Sequence, residues 1–250
     1  MQRYFIPESK MTENQVTIEG EDVKHISRVM RMTTGDHIIC CSEEGRSALC
    51  RIIEIESDLV SAVPEQWLDE KKKLPVHVTI VQGMPKGDKL ETVIQKGTEL
   101  GADTFLPFKA ERSVVKWDQQ KSSKKLQRLR KIAKEAAEQS HRTTIPSIEE
   151  PYSITSLIEI SKSYEHKLIA YEEEAKAGES AALVQALHEA NVNDRFMIVF
   201  GPEGGLSDKE VDWLKDAGFT SCGLGPRILR TETAAMYVLA AISYHFELMR

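Results

Sequence analysis

The last quarter of the chain constrains the fold most, because a short apolar strand there ends in a glycine-rich loop that leads into a helix. Phe196–Phe200 is an unbroken apolar run, too short for a helix, and predicts a buried strand. The loop that follows reads GPEGG, from Gly201 to Gly205. Ser207–Glu210 then has the S-x-x-E spacing of a capping box, which predicts the start of a helix.

The same arrangement occurs a second time before the chain ends. A strand predicted over 219–224 runs into the loop 225–230, and an Ala-rich helix follows from about Thr231. Ligands of open α/β sheets bind in the crevice at the carboxyl ends of the strands. We therefore expect a small-molecule site where these two loops meet.

The rest of the chain divides into two regions with different patterns. Residues 1–72 contain several short strands and one inserted helix, over 21–31, which predicts a small, partly closed β-barrel. From residue 76 onward strands and helices alternate, which predicts a mostly parallel sheet with helices on both faces. Residues 112–116 are a further strand candidate. The charged run 69–73 predicts the linker, so the expected domains are 1–72 and 73–250.

Composition narrows the class of protein. The chain of 250 residues has no apolar run near the roughly 18 residues of a membrane span, and its N-terminus lacks the apolar core of a signal peptide. We expect a cytoplasmic protein without a membrane partner. The four cysteines form no C-x-x-C pair, so we expect buried, reduced thiols. The seven histidines lack ligand spacing, and we expect no metal.

Positive charge is concentrated in one segment although the net charge is −6. Between Lys109 and Lys134 there are ten Lys or Arg residues and two acids. On a helix predicted over 122–140, Lys124 and Arg128 lie opposite the apolar stripe. A solvated surface would explain this pattern, but the segregation of charge favours a polyanion partner, RNA or DNA.

The final helix has almost no polar side in its first half, which reads TETAAMYVLAAI. Such a helix is buried nearly all round, in the core or in a dimer interface. We expect a homodimer.

The GPEGG loop matches none of the common nucleotide or hydrolase motifs. It lacks the G-K-[ST] of a Walker A motif, the G-x-G-x-x-G of a dinucleotide site and the G-x-S-x-G of a nucleophile elbow. A glycine-dense loop with one carboxylate suits close backbone approach to a ligand that carries positive or polar groups. The alternative is that the loop is only a tight turn.

The two loops carry a resemblance to a known family. GPEGGLSDKEVDWL, followed about 20 residues later by LGPRILRTETAAMYVLAAI, closely resembles the RsmE family, the 16S rRNA uridine-N3 methyltransferases of the SPOUT superfamily. The resemblance extends back through KLIAYEEE, KEAAEQSHR and QGMPKGDKLETVIQKGTELG to the N-terminal R-Y-F and H-x-x-x-V-x-R patterns. It therefore covers essentially the whole chain.

The resemblance implies an N-terminal PUA-like barrel and a C-terminal α/β domain that is knotted in a trefoil, dimerises and binds S-adenosylmethionine in the knot. Three loops would hold this cofactor, and the implied binding residues are Leu168, Ala170, Tyr171, Gly201, Glu203, Gly204, Gly205, Leu224, Gly225, Leu229, Thr231, Thr233 and Ala234. Leu224, Gly225 and Leu229 would meet the adenine with backbone groups.

The implied reaction is methylation of N3 of an unpaired or flipped-out uridine in 16S rRNA. Loss of the weakly acidic N3–H builds negative charge on the uracil carbonyl oxygens, so the site needs a base or a cation. Glu203 is the candidate base and Arg230 the candidate cation, although the two side chains could instead pair with each other. The predicted RNA contacts are Arg28, Arg31, Lys124, Arg128 and Arg142.

Other functions remain open at this point. The same cofactor site would serve ribose 2′-O-methylation or methylation of another base. A non-catalytic RNA-binding or ribosome-assembly protein, and a small-molecule α/β enzyme, are alternatives of different classes.

Overall fold

The computed structural model describes residues 1–70, 72–115, 117, 119–171 and 181–249, without the side chains of 119–121 and 181. They form two compact units, one of residues 1–73 with 134–145 and one of 74–133 with 146–250. The sequence predicts a single division after residue 72. The structure differs in that the segment 134–145 belongs to the first unit.

Specific contacts explain why this segment belongs there. Lys134 Nζ lies 2.8 Å from Asp22 Oδ1, and Ala137 is buried in a small cluster with Phe5 and Cys41. The carbonyl oxygen of Arg142 accepts a hydrogen bond of 3.2 Å from the buried Arg3 guanidinium. The helical periodicity of the sequence reveals an apolar stripe but not the element on which it packs.

The first unit is built on a five-stranded sheet in the order β1-β3-β4-β5-β2. All strand pairs are antiparallel except β1 with β3. Its edge strands β1 and β2 lie close together, so the sheet is nearly closed, as the predicted barrel requires. The predicted helix begins at Glu21 and continues as a π-helical turn, His25–Val29. The strands are β1 Arg3–Ile6, β2 Val16–Glu19, β3 His37–Ser42, β4 Ser47–Ile55 and β5 Leu59–Leu68.

The second unit contains a six-stranded, all-parallel sheet in the order β11-β9-β10-β6-β7-β8, which confirms the predicted α/β class. Its strands are β6 His77–Gly83, β7 Thr104–Phe108, β8 Ser147–Ile148, β9 His166–Ala170, β10 Arg195–Phe200 and β11 Thr220–Cys222. With α1 as Glu21–Lys24, the helices of the described chain continue as α2 Lys89–Glu99, α3 Gln119–Gln139, α4 Ile154–Ser161, α5 Ala181–Glu189, α6 Asp208–Asp216 and α7 Thr231–Ser243. The trefoil knot stays a prediction.

Two details of this unit differ from the expectation. The strand candidate at 112–116 is not a strand in its described part, 112–115. The short strand β8 and the helix α4 were not predicted. Ser153 caps α4 by accepting a hydrogen bond from the backbone N–H of Ser156, a local signal that the sequence does contain.

The core lies on both faces of the parallel sheet. Along β10, Phe196, Ile198 and Phe200 belong to one apolar cluster, and Met197 and Val199 belong to the cluster on the opposite face. This placement explains the unbroken apolar run, since a central parallel strand is buried on both sides. Helix α7 packs on the first of these faces through Ala235, Val238, Leu239 and Ile242.

The cysteines are buried and free, which confirms the prediction of reduced thiols. Burial raises the pKa of Cys222, at the end of β11, to about 12. Within the described ranges, no helix combines the length and apolarity needed to cross a membrane.

Gly97 provides a direct test of this core. A Cβ atom at this position of α2 would lie 2.7 Å from the ring of Phe105 and 3.4 Å from Leu239. We expect Gly97→Ala to lower the free energy of unfolding by about 1–2 kcal/mol, because overpacking outweighs the better helix propensity of alanine. Urea denaturation measures the change. The double variant Gly97→Ala with Phe105→Leu should recover part of the loss, and additive losses would contradict the packing.

Candidate functional site

The carboxyl ends of β9 and β10 and the loop before α7 enclose a cavity of about 540 Å³. Three chain segments predicted from the sequence line it together: the end of β9, the GPEGG loop after β10, and 228–231. The lining residues are Lys89, Arg112, Ala170, Tyr171, Phe200, Gly201, Pro202, Glu203, Gly204, Gly205, Leu206, Ile228, Leu229, Arg230, Thr231 and Ala234. The site therefore lies where strand-end loops of a parallel sheet converge.

The GPEGG loop turns so tightly that some of its positions admit only glycine. A Cβ on Gly201 would lie 2.9 Å from the backbone of Gly205 and of Leu206. A Cβ on Gly83, at the end of β6, would lie 2.6 Å from Pro202. The turn thus rests directly on the neighbouring strand, which fixes the height of the loop above the sheet.

Hydrogen bonds join this loop to the start of α7. Thr231 Oγ1 donates to the carbonyl oxygen of Gly201 at 2.6 Å and accepts from Gln82 Nε2 at 2.7 Å. The same Gln82 nitrogen lies 3.4 Å from the Gly201 carbonyl oxygen. The buried amide of Gln82 therefore holds the GPEGG loop and the start of α7 next to each other.

The carboxylate of Glu203 is held from the side of α2. Lys89 Nζ donates to Glu203 Oε1 at 2.8 Å, and the backbone N–H of Lys86 points at both carboxylate oxygens, 3.1 and 3.4 Å away. Partial burial by itself raises the pKa of Glu203, but the hydrogen bonds from Lys89 and Lys86 outweigh it, and the pKa lies below its usual range. Glu203 is therefore ionised near neutral pH, and a carboxylate stabilised in this way is a weak base.

The end of the loop is held by Arg112. Its Nη1 donates to the carbonyl oxygen of Leu206 at 3.0 Å, and the carbonyl of Gly204 lies 3.4 Å away. The capping box of α6 is present, with the Ser207 side chain accepting from the N–H of Glu210. The carboxylate of the buried Glu210 also accepts from the N–H of Glu111 at 2.8 Å.

Most of the residues predicted for cofactor binding line this cavity or a smaller one beside it, and three line neither. Leu224 lines a smaller cavity of about 90 Å³ that shares Ala170, Leu229 and Ala234 with the larger one. Among the three, Leu168 is buried in the sheet core, and Gly225 and the exposed Thr233 are absent from both linings.

The two predicted catalytic residues both border the cavity. The alternative prediction was an ion pair between Glu203 and Arg230. The structure does not have this pair, because Glu203 forms its ion pair with Lys89. Within the described part of the chain, no hydrogen bond or ion pair joins Arg230 to Glu203. Arg230 instead precedes α7 with its side chain exposed at the cavity.

Three residues of the site, Lys89, Arg112 and Gln82, were not among the residues predicted from the sequence. Lys89 and Arg112 are basic residues outside the two recognised loops, so nothing local distinguishes them from surface lysines and arginines. Gln82 does carry a signal, because it is a polar residue at the end of the apolar run of β6, directly before a glycine. Buried amides require hydrogen-bond partners, so such a position marks a contact with another segment.

The predicted RNA contacts have different environments in the two units. In the first unit Arg28 and Arg31 are exposed, and Arg31 has a left-handed backbone with φ of 52°. In the second unit Lys124 is exposed, and Arg128 is exposed but pairs with Glu91 at 2.8 Å. Arg142 is only 6% exposed, at odds with its predicted role, because a buried guanidinium offers little surface to a phosphate.

The cavity fits S-adenosylmethionine in size and chemistry. Its volume is within the range of about 300–1,000 Å³ that is common for small-molecule sites. Gly201, Gly204 and Gly205 line it without side chains of their own, and Leu229 and Ala234 supply apolar surface for a flat ring. The ionised Glu203 supplies negative charge for a cationic ligand. Among the described residues, no group of three or more His, Cys, Asp or Glu side chains is arranged to hold a metal ion.

Comparison with known proteins points to the same chemistry. The model of the RNA methyltransferase domain matches residues 72–243, and that of the RNA methyltransferase PUA domain matches residues 18–65. The chain is 49% identical to the ribosomal RNA small subunit methyltransferase E of Bacillus subtilis, covering 100% of this chain and 99% of that protein. It is 34% identical to the protein of the same name from Mycobacterium bovis, covering 90% and 84%.

A solved structure extends the likeness to three dimensions. It is the ribosomal RNA small subunit methyltransferase E of Neisseria gonorrhoeae bound to S-adenosylmethionine, which is 27% identical. The two folds match with a TM-score of 0.84 over 97% of each chain.

Proposed function

Because the chain belongs to the ribosomal RNA small subunit methyltransferase E family, we propose that it transfers a methyl group from S-adenosylmethionine to N3 of a uridine in 16S rRNA. The observation that carries this proposal is the cavity at the strand ends, in which a glycine loop with an ionised Glu203 meets an exposed Arg230. Incubation with methyl-labelled S-adenosylmethionine and 16S rRNA tests it. Labelled RNA is expected, and RNA binding without label would favour a non-catalytic assembly protein.

The cofactor supplies a methyl group made electrophilic by the positive sulfonium. The part of this chain is to bind and orient it. The backbone of Gly201, Gly204 and Gly205 would lie against it, and Leu224, Leu229 and Ala234 would cover the adenine in the smaller cavity. Glu203 would offset the positive charge of the ligand.

The side of the cavity that carries Arg230 and Glu203 could bind the uracil through its carbonyl oxygens. Methylation would replace the N3–H bond with an N3–C bond while the methyl–sulfur bond of the cofactor breaks and its electron pair stays on sulfur. The N3 proton would pass to water, and negative charge would develop on the uracil carbonyl oxygens as N3 loses it. Arg230 is exposed at the cavity and would stabilise this charge. Glu203 accepts hydrogen bonds from Lys89 Nζ and from the backbone N–H of Lys86, so we assign it to electrostatic positioning and not to proton removal.

We place the RNA on the exposed cations of each unit. In the first unit these are Arg28 and Arg31, and in the second unit they include Lys124 and Arg128 of α3. Such cations bind phosphates by releasing counterions, so binding should weaken as salt rises.

Charge reversal tests the RNA surface of α3. We expect Lys124→Glu with Arg128→Glu to weaken binding of a 16S rRNA fragment about tenfold or more and to flatten its salt dependence by about two phosphate contacts. Filter binding at several salt concentrations measures both. Glu91→Gln, which removes the carboxylate that pairs with Arg128, should leave binding equal or tighter. An unchanged salt slope in the double reversal would place the RNA elsewhere.

We also propose a cytoplasmic homodimer. After the core face of α7 is buried, Tyr237 on this helix and Tyr244 and Leu248 beyond it remain exposed. Apolar residues grouped at one end of the chain are typical of an interface between protein chains. Light scattering in solution should give twice the chain mass.

A further inference from the structure

Lys89 lies between carboxylates that belong to both cofactor loops. Its Nζ is 2.8 Å from Glu203 Oε1 in the GPEGG loop and 3.9 Å from Glu232 Oε2 in the first turn of α7. The side chains of Lys89 and Glu203 are about one-third exposed, and that of Glu232 is 17% exposed. One ammonium group therefore links α2, the GPEGG loop and the start of α7.

The position of Lys89 in its own helix is unfavourable. It is the first residue of α2, and a positive charge in the first turn of a helix is opposed by the helix dipole. The stability of α2 therefore does not account for a lysine here. The hydrogen bond with Glu203, helped by the charge of Glu232, raises the pKa of Lys89, so the ammonium keeps its charge over the physiological range.

Glu232 depends on this lysine. Its Oε2 atom is buried and has no hydrogen-bond donor in the described part of the chain, and Lys89 is the cation with which it forms an ion pair. A buried carboxylate without a compensating charge is strongly destabilising. Without Lys89, the two loops would each carry a partly buried carboxylate beside the cavity, and like charges at short range repel.

We propose that Lys89 is a positioning residue that holds the two cofactor loops together by bridging the carboxylates of Glu203 and Glu232, which leaves one net negative charge beside the cavity. This inference rests on the proposed function, because the cavity between the two loops is the one that would bind S-adenosylmethionine. Lys89 acts through the two carboxylates and needs no contact with the cofactor. A cavity whose walls are already held in place binds its ligand more tightly, because less ordering accompanies binding.

Isothermal titration of the full-length protein with S-adenosylmethionine tests the proposal without any methyl transfer. We expect Lys89→Met to weaken binding about tenfold or more, and Lys89→Arg to stay within about threefold of the wild type. The matched control is Lys96→Met, on the same helix, which removes an exposed ion pair with Glu99 and should leave the affinity unchanged.

A double variant distinguishes the repulsion between Glu203 and Glu232 from the simple loss of the Lys89 side chain. Lys89→Met with Glu232→Gln should bind S-adenosylmethionine within about threefold of Glu232→Gln alone, because only one carboxylate is left and the repulsion between the two loops is gone. A wild-type affinity in Lys89→Met, or an equal loss with and without Glu232→Gln, would overturn this proposal and leave the proposed function intact. Failure of the wild-type protein to bind S-adenosylmethionine would overturn both.

Discussion

Gly201→Ala is expected to weaken binding of S-adenosylmethionine by about a hundredfold. The new Cβ would lie within 3.0 Å of three backbone atoms of Gly205 and Leu206, none of which can rotate away. The loop would have to open, and the hydrogen bond from Thr231 to the Gly201 carbonyl would break. Strain of about 1–3 kcal/mol and a lost hydrogen bond of about 1 kcal/mol together give this magnitude.

The neighbouring glycine supplies a matched control. A Cβ on Gly204 would lie 3.2 Å from the Cβ and 3.4 Å from the carbonyl oxygen of Arg112, which are looser contacts than those at Gly201. We therefore expect Gly204→Ala to bind S-adenosylmethionine much more tightly than Gly201→Ala. Calorimetric titration measures both, and thermal unfolding checks that each variant is folded. Equal affinities in the two variants would contradict the close-packed loop.

Arg230→Ala is expected to slow methyl transfer by about 10²–10³-fold in a single turnover, the range found when one charge-stabilising donor is removed. Arg230 precedes α7 and lines the cavity, and in the described part of the chain it forms no bond to Glu203, so it would be available to the uracil carbonyls. Glu203→Gln should lower the single-turnover rate only about tenfold, because the glutamate is already ionised and hydrogen-bonded and acts through its charge, not as a base. Neither variant should abolish cofactor binding.

Single-turnover rates with saturating S-adenosylmethionine compare the two variants. Arg230→Lys serves as the control, since it keeps the charge without the planar guanidinium and should recover part of the rate. A larger loss in Glu203→Gln than in Arg230→Ala would make the glutamate the base. Near-normal rates in both would remove the two residues from the chemistry.

The architecture of the second unit was largely predictable because its signals are local. The run Phe196–Phe200 is apolar at every position, which only a strand buried on both faces requires. The capping box at Ser207 fixed the start of α6 to within a residue. Both signals depend on neighbours in sequence, so a single chain suffices to find them.

The remaining parts of the site depend on neighbours in space. Lys89 begins a helix more than a hundred residues before Glu203, and no periodicity relates a basic residue there to a glutamate in a later loop. Arg112 has a strand-like sequence context but holds loop carbonyls. The segment after Ala133 carries an apolar stripe that gives no indication of the unit on which it packs. Such contacts arise from tertiary packing, and the local pattern of the amino-acid sequence does not reveal them.

The proposed reaction is tested most directly by mass-spectrometric nucleoside analysis of unmodified 16S rRNA after incubation with this protein and S-adenosylmethionine. We expect a single new product, N3-methyluridine, which the Arg230→Ala protein forms far more slowly. A 2′-O-methylated nucleoside or a different methylated base would contradict the assigned target while keeping the cofactor site. The absence of any new methylated nucleoside, with S-adenosylmethionine and RNA both bound, would contradict the enzymatic function itself.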